Sequence, residues 1–169
     1  MKASIMPDEI ATLTLKALRT LLDETMFGAK PNWSFVINAG EPGLIATLKG
    51  LTAAQASRLP GAGRKPIVSH ANHVLYGYEL INRAVAGDAK AFAEADWTVA
   101  WKLEQVTESE WSTLLERLET QGRKVMAIAE NLPREMDEIM LTGLFGSAAH
   151  NAYHLGAIRQ ILRDLETPA

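Results

Sequence analysis

Twenty consecutive residues, Ile139 to Ile158, contain no Asp, Glu, Lys or Arg. A charge-free run of that length is either a membrane span or a helix buried inside a folded domain. Its composition favours burial: it holds two His, an Asn, a Ser and a Thr, with three Gly. Polar groups of this kind need hydrogen-bond partners that hydrocarbon cannot supply. The segment is therefore read as a buried bundle helix, running from about Thr142 to Leu165, and no membrane association is expected.

A buried helix needs other helices to cover it, and periodicity supplies three. Pro7 and Asp8 open a pattern in which Ile10, Leu13, Ala17, Leu18, Leu21 and Leu22 keep the three-four spacing of one apolar face, and Gly28 stops it. Pro66 suits the first turn of a second helix, through His70 and His73 to about Ala86. The capping box TESE (Thr107 to Glu110) starts a third, with a stripe from Trp111 through Leu114, Leu115, Leu118, Val125 and Met126 to Ala129, closed by Asn131 to Pro133. Another capping box, TAAQ (Thr52 to Gln55), predicts a short helix inside the Gly/Pro-punctuated connection that reaches about Lys65. No alternating strand pattern, internal repeat or low-complexity segment is evident.

The fold class expected is all-α, a four-helix bundle forming one domain over residues 1–169. Bundle hairpins usually need about 2–8 residues, but Gly87 to Val106 is much longer. An extended chain covers up to ~3.3 Å per residue, so this connection can cross the length of a helix and leave helices two and three parallel. It carries Trp97 and Trp101, which need burial, expected over one end of the bundle.

Composition narrows the function classes. Hydrophobic residues make up 47% and charged residues 22% of 169, with a net charge of −3. These are the values of an ordinary globular domain, and they give no reason to expect nucleic-acid binding. With no cysteine, there is no disulfide and no thiolate ligand, so any metal must be held by His or carboxylate and any thiol must come from a substrate. The first residues, MKASIMPDEI, lack the apolar core of a signal peptide, and a cytoplasmic location is expected.

All four histidines fall in two pairs: His70 and His73 on helix two, His150 and His154 on helix four. Spacings of three and four place each pair on one helix face. Neighbouring helices can then aim both pairs at one point, which is how bundles build metal sites. His150 and His154 share their face with Gly143, Ser147, Ala157 and Ile161, mostly small residues that leave room for an ion. Isolated core histidines held by hydrogen bonds are common, but two pairs holding every histidine favour a metal. Tyr76, Tyr78 and Tyr153 read as core or rim. Helix four has a second apolar face, Leu141, Leu144, Phe145, Ala148, Ala152 and Leu155, for which a homodimer interface or simple burial would account.

The stretch HNAYHLGAIRQI (His150 to Ile161) resembles the helix-four signature of the DinB-like superfamily, also called the DinB/YfiT-like metalloenzymes. NHVL (Asn72 to Leu75), followed by Glu79, resembles its helix-two motif. PGLIATLKGLTAAQAS (Pro42 to Ser57) and ADWTVAW (Ala95 to Trp101) look like one subgroup. The resemblance implies an up-down-down-up bundle, usually dimeric, with a divalent metal ion, zinc or nickel, on His73, His150 and His154. His70 has no counterpart in the motif, although it lies closer than His73 to the apolar face of Ile67, Val74, Tyr78 and Ile81, and it stays an alternative ligand. Many members carry Gln where this chain has Ala157.

Three neutral imidazoles leave a coordination position open, the mark of a catalytic rather than a structural site. The resemblance then implies a metal-dependent enzyme acting on a small molecule, by transfer of a low-molecular-weight thiol or by hydrolysis. Glu24 and Glu79 are candidate bases because they lie on helices that can reach the site. The alternative is a non-catalytic bundle that binds metal or ligand as a dimer.

Overall fold

The computed structural model describes residues 7–61, 63–132 and 136–166. Seven helices occur among them: α1 (Pro7–Phe27), α2 (Leu44–Lys49), α3 (Ala53–Ser57), α4 (Ile67–Val85), α5 (Trp97–Ala100), α6 (Glu108–Glu130) and α7 (Glu138–Glu166). Pairing outside helices amounts, among the described residues, to two isolated antiparallel bridges, Gly28 with Pro42 and Lys30 with Trp33. The chain is all-α. No described helix is long and apolar enough to cross a membrane.

Local chemistry sets the helix ends. Both capping boxes form: Thr52 accepts from the Gln55 amide and Thr107 from the Glu110 amide, while each third residue reaches back to its cap. Gly28, at φ +131°, takes the backbone out of α1 in a region that disfavours side chains. Pro133, expected to help close α6, lies outside the described residues. α7 starts at Glu138, one turn before the expected Thr142. Glu138 and the residue before it supply the difference, since Asp137 accepts from the Met140 amide.

The four long helices contact one another in a cycle: α1 with α6 and α7, and α4 with α6 and α7. Paired side chains give the register. Glu79 on α4 meets Arg117 on α6, and Asn82 donates to Gln121. Arg19 on α1 meets Glu130 on α6, while the aromatic ring of Phe27 lies under Arg123. On α4 and α7, His70 faces His154 and His73 faces His150.

The core fills the space between these helices with Leu18, Leu22, Met26, Ile67, Val74, Leu118, Val125, Leu144, Leu155 and Ile158, all at most 1% exposed. Leu144, Ala148 and Leu155 of α7 belong to this core, with Phe145 packed against it. Half of the second apolar face of that helix is therefore core within the chain, while Leu141, Phe145 and Ala152 are half-buried. α2, which periodicity does not reveal, buries Leu44, Ile45 and Leu48 against α1, α6 and α7. Six residues are too few for a pattern to emerge from one turn and a half.

A buried polar chain crosses this core. Tyr78 of α4 donates to Asn151 Oδ1 of α7 at 2.5 Å, and Asn151 Nδ2 donates to Thr25 Oγ1 of α1 at 3.4 Å. Thr25 passes its own hydroxyl hydrogen to the Leu21 carbonyl. Burial pushes the Tyr78 hydroxyl pKa upward, so it stays protonated and donating.

Two substitutions probe this packing. A Cβ on Gly43 would lie 2.5 Å from the Met26 carbonyl carbon and 2.6 Å from the Phe27 and Gly28 nitrogens, all of them backbone. Gly43→Ala is expected to cost more than the about 1–3 kcal/mol typical of overpacking, read as a lower urea midpoint. Tyr78→Phe leaves the Asn151 carbonyl buried and unpaired, which is expected to cost about 1–3 kcal/mol in the same assay.

Candidate metal centre

The site is built where α4 and α7 face each other, and a third segment closes it. Ser69, Asn72 and Tyr76 recur at three-four spacing along α4 and bind the connection between α4 and α6. Ser69 Oγ donates to the Leu103 carbonyl at 2.6 Å, Asn72 Nδ2 to the Ala100 carbonyl at 2.9 Å, and Tyr76 Oη accepts from the Asp96 amide at 3.1 Å. As the α4 number rises the partner's falls, so the segment around α5 runs back along the helix. Asp96 caps α5 by accepting from the Thr98 amide. The connection therefore lies along the histidine-bearing side of α4 rather than over one end. Trp101 stacks on His73 with ring centroids 4.4 Å apart and meets His70 edge-on at 5.1 Å, while Trp97 lies 5.5 Å from His73.

All four histidines converge here. His150 Nε2 lies 3.1 Å from His73 Nε2 and 3.0 Å from His154 Nε2. One ligand nitrogen from each of these three fits within 4.8 Å of the others. His70 sits on the outer edge, its Nδ1 3.0 Å from His154 Nδ1. His154 is 1% exposed. His73 Nδ1 is buried without a hydrogen-bond partner, so stacking on Trp101 holds that ring.

The rings are neutral near pH 7. Burial, followed by the neighbouring His150 and His70, brings His73 down to about 4; burial and all three other histidines bring His154 down to about 3. Burial lowers His70 and His150 as well. A neutral imidazole nitrogen carries either a hydrogen or a lone pair, never both. His150 Nε2 has a single hydrogen or a single lone pair, so its two imidazole neighbours can only share it in a weaker three-centre bond, and protonation is no remedy in so desolvated a place. A cation among the three nitrogens removes the conflict. Zn–N distances of about 2.0–2.1 Å place neighbouring nitrogens of a tetrahedral site about 3.3 Å apart, close to the spacing seen. The donor set fits a divalent ion.

Neither candidate base is aimed at this cluster. Glu24 is buried, and its carboxylate accepts from the backbone amides of Phe35, Val36 and Ile37. Burial raises its pKa, but those three amides outweigh it and the net direction is down. Glu24 thus clamps the connection after α1. Glu79 is spent on Arg117 at 2.6 Å. The clamp, the tether through residues 69, 72 and 76, and the Trp101 stack are not singled out by sequence reasoning. The three-four spacing of the tether is the one signal for them; the amides that bind Glu24 leave none.

Two clefts flank the imidazoles. One, of about 240 Å³, is walled by Ile81, Phe92, Trp97, Gly143, Gly146 and His150. Its two hydroxyls are committed, Tyr78 to Asn151 and Ser147 to the Gly143 carbonyl, so its wall is effectively apolar. The other, about 380 Å³, opens beside His70 and Trp101 and contains Ala157 and Gln160. A larger cleft of about 480 Å³ lies away from the histidines, between α1 and the connection after it.

The depressed imidazoles set a pH dependence. The unfolded chain binds protons at 6.5, while folded His73 and His154 resist them down to about 4 and about 3. Their stabilisation is whole above the unfolded value and is lost as pH falls towards the folded ones. Metal-free protein is expected to have a lower urea midpoint at about pH 5 than at about pH 7.5, and His154→Ala to flatten that slope. Equal midpoints at both values would show that the rings are not buried in neutral form.

No protein-family model, curated protein or solved structure matches this chain.

Proposed function

We propose that the chain is a metal-dependent enzyme of the DinB-like kind, holding one divalent ion, zinc or nickel, on His73, His150 and His154. The observation that carries this reading is the meeting of three Nε2 atoms at 3.0 and 3.1 Å, which hydrogen bonding satisfies only by sharing one hydrogen or lone pair between two neighbours. Such an ion supplies Lewis-acid activation of a thiol or a water at its open position. The chain's own residues do the rest. Trp101 and Trp97 shield the imidazoles, and the apolar cleft beside His150 accommodates the hydrocarbon part of a small substrate. Thiol transfer and hydrolysis are the reactions that suit this arrangement.

The fold that goes with this reading is the up-down-down-up four-helix bundle. Register supports it: from Glu79–Arg117 to Asn82–Gln121 both numbers rise, from His70–His154 to His73–His150 one falls, and so it does from Arg19–Glu130 to Phe27–Arg123. A cytoplasmic homodimer completes the proposal. Its interface would use the exposed strip of α7 that includes Gly146, Ala149 and Tyr153 rather than the face that Leu144, Ala148 and Leu155 turn into the core. A non-catalytic metal-binding bundle draws on one observation, the commitment of Glu24 and Glu79 elsewhere.

Protein purified without a polyhistidine tag is expected to carry stoichiometric metal by elemental analysis, and His150→Ala or His154→Ala to lose it. Full occupancy in either variant overturns the ligand set. Chelation is expected to leave far-UV helicity near its starting level while lowering the melting temperature, because the apolar core forms without the ion. Turnover of a thiol with an electrophile, or of an ester or amide panel, separates the enzyme from the non-catalytic bundle. Light scattering at a monomer mass across a wide concentration range removes the dimer.

A further inference from the structure

The four imidazoles are not equivalent, and the difference lies in which ring atoms meet. His154 turns Nε2 towards His150 and Nδ1 towards His70, each at 3.0 Å. The two nitrogens of an imidazole point away from one another, so a group at the Nδ1 edge cannot share an ion bound at Nε2. His70 therefore stands behind His154. Trp101 keeps the His70 ring in place by an edge-on contact at 5.1 Å.

We propose that His70 is a positioning residue for the metal centre: its Nδ1 accepts the Nδ1–H of His154 and so fixes the tautomer and orientation in which His154 presents a bare Nε2. The inference rests on the metal-centre reading and goes beyond it. A ligating histidine ordinarily donates its second N–H to a carboxylate, a carbonyl or water. On the outer edge of His154 that partner is another imidazole. Once Nε2 of His154 gives its lone pair to an ion, its one ring hydrogen must sit on Nδ1. The neighbouring His70 Nδ1 must then be the acceptor, which puts the hydrogen of His70 on its own Nε2. His70 lines the second cleft together with Arg64, Lys65 and Gln160. The charges of Arg64 and Lys65 are paired, at 2.7 Å with Asp164 and at 2.5 Å with Glu104. The support given to His154 is thus neutral, and it holds the ligand without adding charge to the centre.

Zinc affinity measured by competition with a chromophoric chelator tests this, with the wild-type protein as reference. His70→Ala is expected to keep one-to-one zinc binding and to weaken it by about 10–100-fold, the usual effect of losing such a partner. His70→Gln, whose amide oxygen can accept the same hydrogen, is expected to recover part of the loss. The urea midpoint of the metal-free variants reads the purely structural share, which should be similar for Ala and Gln. Nitrogen-15 shifts of the imidazoles in zinc-loaded wild-type protein give a second readout that needs no variant: His154 is expected as the Nδ1–H tautomer and His70 as the Nε2–H tautomer. Unchanged affinity in His70→Ala, or the opposite tautomer at His70, overturns the proposal while leaving the metal centre standing. Loss of stoichiometric zinc in His70→Ala also overturns it, by making His70 a ligand. Wild-type protein that binds neither zinc nor nickel overturns the metal centre itself, and the role of His70 with it.

Discussion

The hydrogen bond from Tyr78 to Asn151 joins α4 to α7 in the middle of the core, and the histidine cluster depends on it. Asn151 follows His150 directly, so once its side chain is anchored inward the helix cannot rotate without breaking a buried polar contact. Turning α7 by one residue, about 100°, would carry both histidines off the shared face. Apolar packing is too forgiving to fix rotation so closely, whereas a buried amide left unpaired is costly. Thr25 extends the constraint to α1. Three of the four long helices are thereby registered by a few polar atoms, and the imidazoles inherit that register.

Because the register brings every imidazole to one place, desolvation is concentrated there. Four neutral rings and two tryptophans crowd together, and no carboxylate among the described residues joins the group of three histidines that could hold an ion. Such a cluster costs a bundle stability as pH falls, since the unfolded chain then takes up protons that the buried rings refuse. Its chemistry is that of a neutral nitrogen donor set that could hold a divalent cation. The flanking clefts divide by character: the side of Trp97 and Phe92 is apolar, and the side of Trp101 and His70 is bordered by paired charges.

The connections contribute more than spacing. Glu24 draws three successive amides onto one carboxylate, and Arg159 of α7 binds Glu41 and the Pro42 carbonyl. These contacts shape the entry to α2, where backbone comes so close that only glycine fits at position 43. The connection after α4 is held just as specifically by Ser69, Asn72 and Tyr76. Both segments lack a repeating pattern, yet each is fixed by side chains on a helix.

The four long helices, the short α3, most of their ends and the two histidine pairs were legible in the sequence, because each rests on neighbours within a turn or two. Periodicity fixes an apolar face and a capping box fixes a terminus, and neither needs the rest of the chain. The sequence alone also excluded thiolate ligands for any metal. Tertiary structure decided everything that depends on which faces meet. It turned half of the second apolar side of α7 into core, laid the Trp97–Trp101 segment along α4, and drew Glu24 and Glu79 away from the imidazoles. It also separated His73 from His70. A helical wheel favours His70 because it measures only the angle to the apolar stripe. The choice between them depends on the height and rotation of α7, set by a hydrogen bond between residues 73 positions apart in the chain.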